Sequence, residues 1–590
     1  MLNNKNIFFL ASLLVFIFIF LKAAVQGISH DEAATFFHYI HAEVFIPGEA
    51  LWDANNHIIN SFLSIQFYKI FGKDLIFLRL TNVLSFLLYA FYIYKTSSFL
   101  NSKWSKYAYQ LALLTPIFLL DFFTLTRGYA MSIAFLWAAI FHFAAFFTSK
   151  SLKDNILFWI FIALATWSNL SLINNYLIFI GIFVGYSFFN YKDLTISSKL
   201  LFFFLGLTFF TAAGLYSYKM KLLGLLYYGN QDGFVATTLS SLANFQFDTD
   251  NFLVASIWFF SMLLFGILVF VNVKSKTQIT AFFSFKYMIG TLLLLNVLGV
   301  FLLNILLGVN FPEDRAAIYF IPLFIAAFVV AVDELLYFNN AFKWLYVFIF
   351  IFPIQLIANT SMQGTKLWKT LYMYKEMHEV VVNEQKKSNK LLSINGYRLH
   401  KMSWAYFNLN KSLNSMYAFP YPDTCADIIF AVDKDYDMDN FKSYSPIYHS
   451  NFSDMTVWKR NVFLERHNFF HSKDTLEYRG SDTFYEIFND TLFSDYKRVS
   501  STFDIVLDTK EKPFIGSVVF EVKDMKGKLI NYEAIPFDWL RSEWEGDMIK
   551  IQRNLPDVAT NKTHLKIYIW NIKEKNYQTK VSNLTFSYIF

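Results

Sequence analysis

Runs of apolar residues recur from Ile7 to about Ile357, joined by short polar links, and no other feature restricts the fold as strongly. A helix needs ~20 apolar residues to cross a hydrocarbon core of ~30 Å. In lipid, every backbone N–H and C=O must also be satisfied within the spanning structure itself. The runs therefore predict a bundle of membrane-crossing helices. Composition agrees: of 590 residues, 55% are hydrophobic and 16% charged, with 72 Phe and a mean hydropathy of +0.36. From about Thr365 the runs stop and polar residues are mixed throughout, so a water-soluble part follows.

Lys5 and the apolar run Ile7 to Leu21 read as a first helix that is retained in the membrane rather than cleaved. Further spans are expected near 76–94, 107–122, 128–148, 156–170, 172–189, 199–218, 252–273, 287–307, 316–335 and 344–361, about eleven in all. The spans meet closely near Thr124 and Leu170, which predicts one broken or re-entrant crossing there. With a cytoplasmic N-terminus, alternate loops carry Lys95, Lys103 and Lys106; Lys150 and Lys153; Lys192 and Lys199; and Lys274, Lys276 and Lys286. The opposite loops carry Asp31, Glu32, Glu43, Glu49, Asp53, Asp121, Asp232, Asp248, Asp250, Glu313 and Asp314. A lysine bias in the short loops of one side is the positive-inside pattern, the 333–343 loop (Asp333, Glu334, Lys343) being an exception without bias, and an odd number of crossings then puts the C-terminal part outside. A bacterial inner membrane fits this arrangement.

Two outer loops, 28–75 and 219–251, are longer than connectors require. The first holds apolar stretches broken by Pro47-Gly48, which suit helices lying in the interface. The second opens on Lys219 and Lys221 and runs through Tyr227-Tyr228-Gly229-Asn230. Residues 364–466 combine a helix (Tyr372 to Lys387) with short apolar strands such as Ala426 to Val432. That reads as a small α/β domain. From 467 to 590 the period becomes two: Leu565, Ile567 and Ile569 alternate with Lys566, Tyr568 and Trp570, and Gly516 to Val522 and Met548 to Arg553 behave alike. An antiparallel β-sandwich or jelly roll is expected. The fold class is thus a polytopic α-helical membrane domain (1–363) followed by a soluble α/β domain and a β-sandwich.

Charge and cysteine usage narrow the function. The net charge is +6 and no basic block suits a nucleic-acid backbone, so nucleic acid is not an expected partner. A single cysteine, Cys425, allows neither an intrachain disulfide nor a cysteine metal cluster. What remains is a set of polar groups on the outer face. Asp31-Glu32 follows the first helix, where acids at a membrane boundary are costly to desolvate. One acid could deprotonate a hydroxyl while its neighbour binds a metal or a cation. Alternatively, Ser29 or Asp31 caps a short helix, with acids near its positive end. Asp53, Asn56 and His57 follow in the same loop as candidates for contact with an acceptor. Asp121 and Arg127 flank a short outer turn beside Tyr129, and either an ion pair or a site is compatible with them. Arg315 follows Glu313-Asp314, and its planar fork of donors matches phosphate oxygens. Arg79, at the start of the second span, reads as structural.

Ordered along the chain, His30-Asp31-Glu32-Ala33, Asn56-His57, Phe77-Leu78-Arg79-Leu80, Arg127-Gly128-Tyr129 and Asp314-Arg315-Ala316 resemble the GT-C superfamily of membrane glycosyltransferases. The closest likeness is to the aminoarabinose transferase and protein O-mannosyltransferase branch, over about the first 360 residues. Where that branch has His-Pro-Pro, this chain has His57-Ile58-Ile59. The resemblance implies inverting transfer of a sugar from a polyprenyl-phosphate donor at the outer leaflet to a lipid, glycan or protein acceptor. Asp31 would be the general base, supported by Glu32, with Asp121 as a second acid. Arg127, Arg315, Lys219 and Tyr129 would bind the donor phosphate. A divalent metal is a candidate cofactor, with Glu32, Asp121 and His57 as candidate ligands.

Two other classes stand beside the enzyme. A transporter or flippase for a lipid-linked saccharide needs polar or broken helices at mid-bilayer, and Asn169, Asn174, Asn175 and Asn296 are the residues that offer this. A non-catalytic scaffold would use the sandwich to hold glycan, where Trp539, Trp544 and Trp570 either stack on sugar or fill the core.

Overall fold

Where the sequence is apolar, the computed structural model of the chain is helical. It describes residues 4–189, 194–248, 283–397, 401–409, 417–419, 423–432, 434, 441–492, 498–555 and 562–590. Packing divides the chain into two units: Met1–Gln26 with His38–Leu367, and Gly27–Phe37 with Trp368–Phe590.

The first unit is a membrane domain built from α1 (Asn4–Val25), α3 (Ile58–Phe71), α4 (Leu75–Ser97), α5 (Lys103–Leu114), α6 (Ile117–Phe123), α7 (Gly128–Ser149), α8 (Leu152–Ser168), α9 (Ile173–Phe189), α10 (Ile196–Leu222), α11 (Ser240–Phe247), α12 (Phe285–Leu307), α13 (Phe320–Leu335) and α14 (Asn340–Asn359). The number α2 is kept for His30–Thr35 of the second unit. Among the described residues, eight helices are long and apolar enough to cross a membrane. Three expected spans account for the difference from about eleven. The 107–122 run is interrupted between α5 and α6, where Thr115 precedes Pro116 and so leaves helical geometry (φ −119°, ψ 6°). Helix α8, 17 residues long, is slightly short. The 252–273 span, with Asp250, Lys274 and Lys276, lies outside the described residues.

Helix ends in this unit are satisfied by side chains from elsewhere. Arg79 of α4 is fully buried and donates from Nη1 to the carbonyls of Ala23 (2.9 Å) and Gln26 (3.1 Å), filling acceptors that the end of α1 leaves open. The structural reading of Arg79 follows from this. Asp333 accepts the backbone N–H groups of Asn101 and Ser102 (3.0 Å each) before α5, and Lys286 lies 3.1 Å from it. Between α9 and α12 the backbones come close. A Cβ on Gly299 would sit 2.2 Å from Asn174 Oδ1. Asn174 donates to Asn296 Oδ1 (3.1 Å), and Asn296 donates to Asn175 Oδ1 (2.8 Å). These asparagines largely bond to one another.

The second unit contains α2, α15 (Lys375–Lys387), α16 (Lys401–Asn408), α17 (Phe537–Leu540) and fourteen strands. The first five are β1 (Ile394–Gly396), β2 (Ala418–Phe419), β3 (Ile428–Val432), β4 (Tyr444–Ser450) and β5 (Met455–Arg460). They form one mixed sheet in the order β2-β1-β3-β5-β4, parallel around β1 and antiparallel around β5. Then follow β6 (Arg466–His471), β7 (Leu476–Gly480), β8 (Phe484–Leu492), β9 (Arg498–Asp508), β10 (Ser517–Asp524), β11 (Leu529–Pro536), β12 (Glu545–Leu555), β13 (Thr563–Trp570) and β14 (Tyr577–Ile589). They make two antiparallel sheets, β11-β10-β13-β8 and β12-β9-β14-β6, with β7 also paired to β14 in the second. Leu565, Ile567 and Ile569 are fully buried, and Phe503 of β9 meets Phe520 of β10 across the sandwich at 6.2 Å. Trp539 and Trp544 are buried in the core, while Trp570 is half-buried.

The stretch Gly27–Phe37 belongs to this second unit although it directly follows α1. Ile28 and Met373 exchange backbone hydrogen bonds (2.9 and 3.0 Å), and a Cβ on Gly27 would lie 2.7 Å from the Met373 carbonyl. Phe36 packs edge-on against Tyr406 of α16 (5.0 Å), and Phe37 lies on Trp539 of α17 (5.3 Å).

Candidate functional site

In the membrane domain, four segments converge on a cavity of about 470 Å³. His57 enters from the residue that precedes α3. Its Nδ1 lies 2.7 Å from the Ser168 carbonyl at the end of α8, and its ring meets Tyr129 of α7 edge-on at 4.4 Å. A carbonyl only accepts, so Nδ1 carries the proton and Nε2 is left as an acceptor. Nε2 is buried and has no hydrogen-bond partner among the described residues. Burial first, then the Arg127 guanidinium, hold the imidazole well below its ordinary titration range; the Ser168 carbonyl opposes them and Arg315 adds to them. His57 is therefore a neutral acceptor at neutral pH.

The loop that carries His57 is shaped by its neighbours. Asp53 accepts the Asn55 N–H (2.8 Å), a local turn that suits an aspartate. Asn56 donates to the Phe45 carbonyl (3.1 Å) and accepts from Ser61 (3.2 Å). Asp53 and Asn56 thus form the loop, while Asn55 and His57 line the cavity. Arg127 is buried; its Nη2 donates to Asn55 Oδ1 (2.9 Å) and its guanidinium lies 5.6 Å from the Tyr129 ring. It stands behind the lining rather than in it.

The opposite wall comes from the second long loop and the turn before α13. Arg315 donates to the Tyr228 hydroxyl (2.6 Å) and lies over that ring at 4.0 Å, and the same hydroxyl donates to Asp314. Burial and the Asp314 charge push the phenol up, against a smaller opposing effect of Arg315, so it stays protonated. Asp314 holds a left-handed backbone (φ 37°), and its N–H donates to Ser241 Oγ of α11 (2.9 Å). Such strain persists only where surrounding structure fixes it. Gly229 is required here: at φ 101° its Cβ position lies 2.2 Å from the Phe311 carbonyl.

Lining residues divide into an apolar set, including Leu225, Leu226, Val300, Leu303 and Leu307, and a polar set. The polar set includes His57, Asn169, Asn174, Lys221, Tyr228 and Arg315. Two of these are cations, and no Asp or Glu is among the described lining residues. A cavity so lined suits a ligand with an anionic head and an apolar tail.

Among the residues singled out by sequence, His57, Tyr129 and Arg315 line this cavity, with Arg127 behind it. Lys219 is exposed and does not line it; Lys221, in the same last turn of α10, does. Asp121 is buried and paired with Lys22 of α1 at 2.6 Å, and it does not line the cavity either. Asp31 and Glu32 lie in the second unit. There Ser29 and Glu32 form a capping box that starts α2: Ser29 Oγ accepts the Glu32 N–H (3.3 Å), and the Ser29 N–H donates to Glu32 (3.2 Å). Glu32 is buried and Asp31 half-buried. Sequence reasoning did not single out Lys221, Tyr228 or Asn169 for the site; the length of the 219–251 loop was the available signal.

Of the candidate metal ligands, Asp121 pairs with Lys22 and Glu32 is engaged with Ser29, while His57 bonds to Ser168 through Nδ1, which leaves Nε2 as an acceptor. Among the described residues no group of three or more His, Cys, Asp or Glu is clustered for a metal.

No family model and no curated protein matches the chain. Among solved structures it is similar to ArnT from Cupriavidus metallidurans bound to undecaprenyl phosphate, at 9% identity and a TM-score of 0.44, covering 77% of this chain and 97% of that one. It is also similar to the archaeal oligosaccharyltransferase AglB from Archaeoglobus fulgidus, in complex with an inhibitory peptide and a dolichol-phosphate, at 9% identity and 0.40, covering 95% and 94%. A third is the arabinosyltransferase EmbB from Mycobacterium smegmatis, at 9% identity and 0.34, covering 97% of this chain and 64% of that one. At such scores these likenesses carry no weight for function, which has to come from the cavity itself.

Proposed function

We propose that this protein is an integral membrane glycosyltransferase, moving a sugar from a polyprenyl-phosphate donor to a hydroxyl acceptor on the outer face of the membrane. The observation that carries the reading is the cavity: an apolar wall, two cations, no carboxylate among the described lining residues, and a neutral histidine acceptor. Arg315 and Lys221 suit the donor phosphate, while Leu303, Leu307 and Leu225 suit its isoprenoid chain. His57 Nε2 has a lone pair and no proton, so it suits a sugar hydroxyl and not a phosphate oxygen. Arg127 acts through Asn55 and Tyr129, holding the lining in place.

In the reaction, the acceptor hydroxyl gives its proton to the Asp31 carboxylate as its oxygen forms a bond to the anomeric carbon. The bond from that carbon to the phosphate oxygen breaks, and the lipid phosphate leaves with the electron pair. Cations at the phosphate stabilise the charge it gains. Asp31 is preferred to Glu32 as base because Glu32 is committed to the capping box. No step is routed through a metal. The positive-inside pattern supports a cytoplasmic N-terminus, and an odd number of crossings would then put the C-terminal part on the outer face, where the acceptor would be met.

Two measurements test this on the full-length protein. Arg315→Gln is expected to weaken polyprenyl-phosphate binding by ~10-fold or more, since a hydrogen bond to a charged group contributes ~1.5–3 kcal/mol. Asp31→Asn should abolish sugar transfer while leaving that binding intact. Unchanged binding in the first variant refutes the cavity assignment, and unchanged glycan products in the second refute Asp31 as base.

A further inference from the structure

The membrane domain has a second, larger hollow of about 700 Å³ that the transfer reaction does not use. It lies between the first half of α1 (Ile7, Phe8, Ala11, Val15), α5 (Trp104, Ala108, Leu111) and the first part of α14 (Lys343, Trp344, Val347). We infer that this groove is a binding site for one phospholipid with an anionic headgroup, its phosphate met by Lys343 and an acyl chain laid along α5. This inference does not depend on the transfer chemistry.

Small side chains create the space: Ala11 and Ala108 lie where larger residues on α1 and α5 would close it. The two longer walls are held together, because Tyr346 of α14 donates to Ser105 of α5 at 2.7 Å. That bond sets the beginning of α5, with Lys103 and Lys106, beside the segment that carries Lys343. Among the described residues none of these three lysines forms an ion pair, while Asp333 beside them is engaged by the Asn101 and Ser102 N–H groups and by Lys286. Lys343 Nζ lies 5.9 Å from the Trp344 ring, and Trp104 and Trp344 are 53% and 73% exposed, as suits indoles at the headgroup level. From that mouth the lining is apolar apart from Gln110 and Thr115. Helix α5 has 12 residues, or about 18 Å at 1.5 Å each, close to one leaflet of a ~30 Å core. A cationic mouth with tryptophans above a leaflet-deep apolar trough matches the charge and shape of an anionic phospholipid.

The test uses the full-length protein in detergent, titrated with phosphatidylglycerol or phosphatidylcholine and read by native mass spectrometry. Wild type is expected to retain one phosphatidylglycerol at least about fivefold more tightly than phosphatidylcholine, the order of the effect of one basic residue at an anionic surface. Lys343→Gln should remove most of that preference and Lys343→Glu all of it. Ala11→Phe, which fills the trough, should reduce retention of both lipids. Lys153→Glu, an exposed lysine outside the groove, should change neither. No preference in wild type, equal loss in Lys153→Glu and Lys343→Glu, or undiminished retention in a folded Ala11→Phe each overturns the assignment. Should Ala11→Phe fail to fold, the Lys343 pair decides the matter alone.

Discussion

Replacing Gly128 by alanine adds one methyl group at the point where three parts of the cavity meet. The new Cβ would lie 2.2 Å from the Ser168 carbonyl oxygen and 2.8 and 3.0 Å from His57 Cβ and Cγ. The first of these is a backbone atom at the end of α8 and has no rotamer to move into. Ordinary contact begins near 3.4 Å, so the start of α7 must shift by about 1 Å relative to α8 and His57. That shift breaks or stretches the 2.7 Å bond from His57 to Ser168, a loss of ~1 kcal/mol, on top of ~1–3 kcal/mol for overpacking. Alanine's better helix propensity returns less than ~1 kcal/mol. The net cost is about 2–3 kcal/mol. Its effect on activity is larger, because a misplacement of ~1 Å at a reacting site costs ~100-fold in rate. Gly185→Ala is the control: Gly185 lies in α9 with no atom within 4 Å of its Cβ position, so alanine should be neutral or slightly stabilising. The assay is thermal inactivation of the purified protein with the rate of sugar transfer measured on the same samples. Equal half-lives and equal rates for Gly128→Ala and Gly185→Ala would refute the close-approach argument and the role given to His57.

Tyr228→Phe keeps the ring under Arg315 but removes the oxygen that links it to Asp314; Arg315, already 3.6 Å from Asp314, should turn to it, weakening polyprenyl-phosphate binding by ~10-fold, and an unchanged Kd would refute this. Asp538 is buried, and its burial raises the carboxyl to about 7 against only a weak opposing backbone bond. The native state thus holds a proton between about 4 and 7 that the unfolded chain releases, so stability is greatest below 4 and falls as pH rises through 7, by up to about 4 kcal/mol. Asp538→Asn should remove this fall, as read from tryptophan fluorescence during unfolding at several pH values. His41 is buried near Lys73, and burial first, then that charge, lower it to about 4. Its contribution is present above 6.5 and is lost as pH falls from there to 4, by up to about 3 kcal/mol, and His41→Gln should flatten that acid limb.

Local chemistry was legible in the sequence and long-range pairing was not. Period-two alternation in 565–570 marks the buried face of β13, and the Ser29-x-x-Glu32 spacing marks the start of α2. Both are read within a few residues. By contrast, Asp121 meets Lys22 and Gln26 donates to Thr124 (2.9 Å) across about a hundred residues of chain. Neither residue type nor spacing announces such a partner. The interruption of the third expected span is marked in the sequence by Pro116, and not by the close spacing of spans at Thr124. Near Leu170 a single 3-10 turn (Leu170–Leu172) does separate α8 from α9. That Gly27–Phe37 packs with the second unit could not be read, because Met373, Tyr406 and Trp539 are supplied by distant segments. Lys219 and Lys221 differ by two residues on a helix, about 200° around its axis, so only the helix phase decides which one faces the cavity.

The outer-face charges that look alike in sequence are sorted by what each one touches. Arg79 is used by the carbonyls at the end of α1, Asp121 by Lys22, Glu32 by Ser29, and Asp53 by the turn before His57. Buried polar groups whose partners are internal fix the fold, and their removal leaves the other partner buried and unsatisfied. Groups around the cavity differ in kind. Among the described residues His57 keeps an acceptor with no internal partner, and Arg315 and Lys221 place two cations against a lining that has no carboxylate. Arg315 is partly balanced by Asp314 at 3.6 Å, and a phosphate in the cavity would give it and Lys221 a further anionic partner beside the apolar wall. For that reason the phosphate of a lipid carrier, and not the acidic pair after the first helix, is the strongest part of the functional reading.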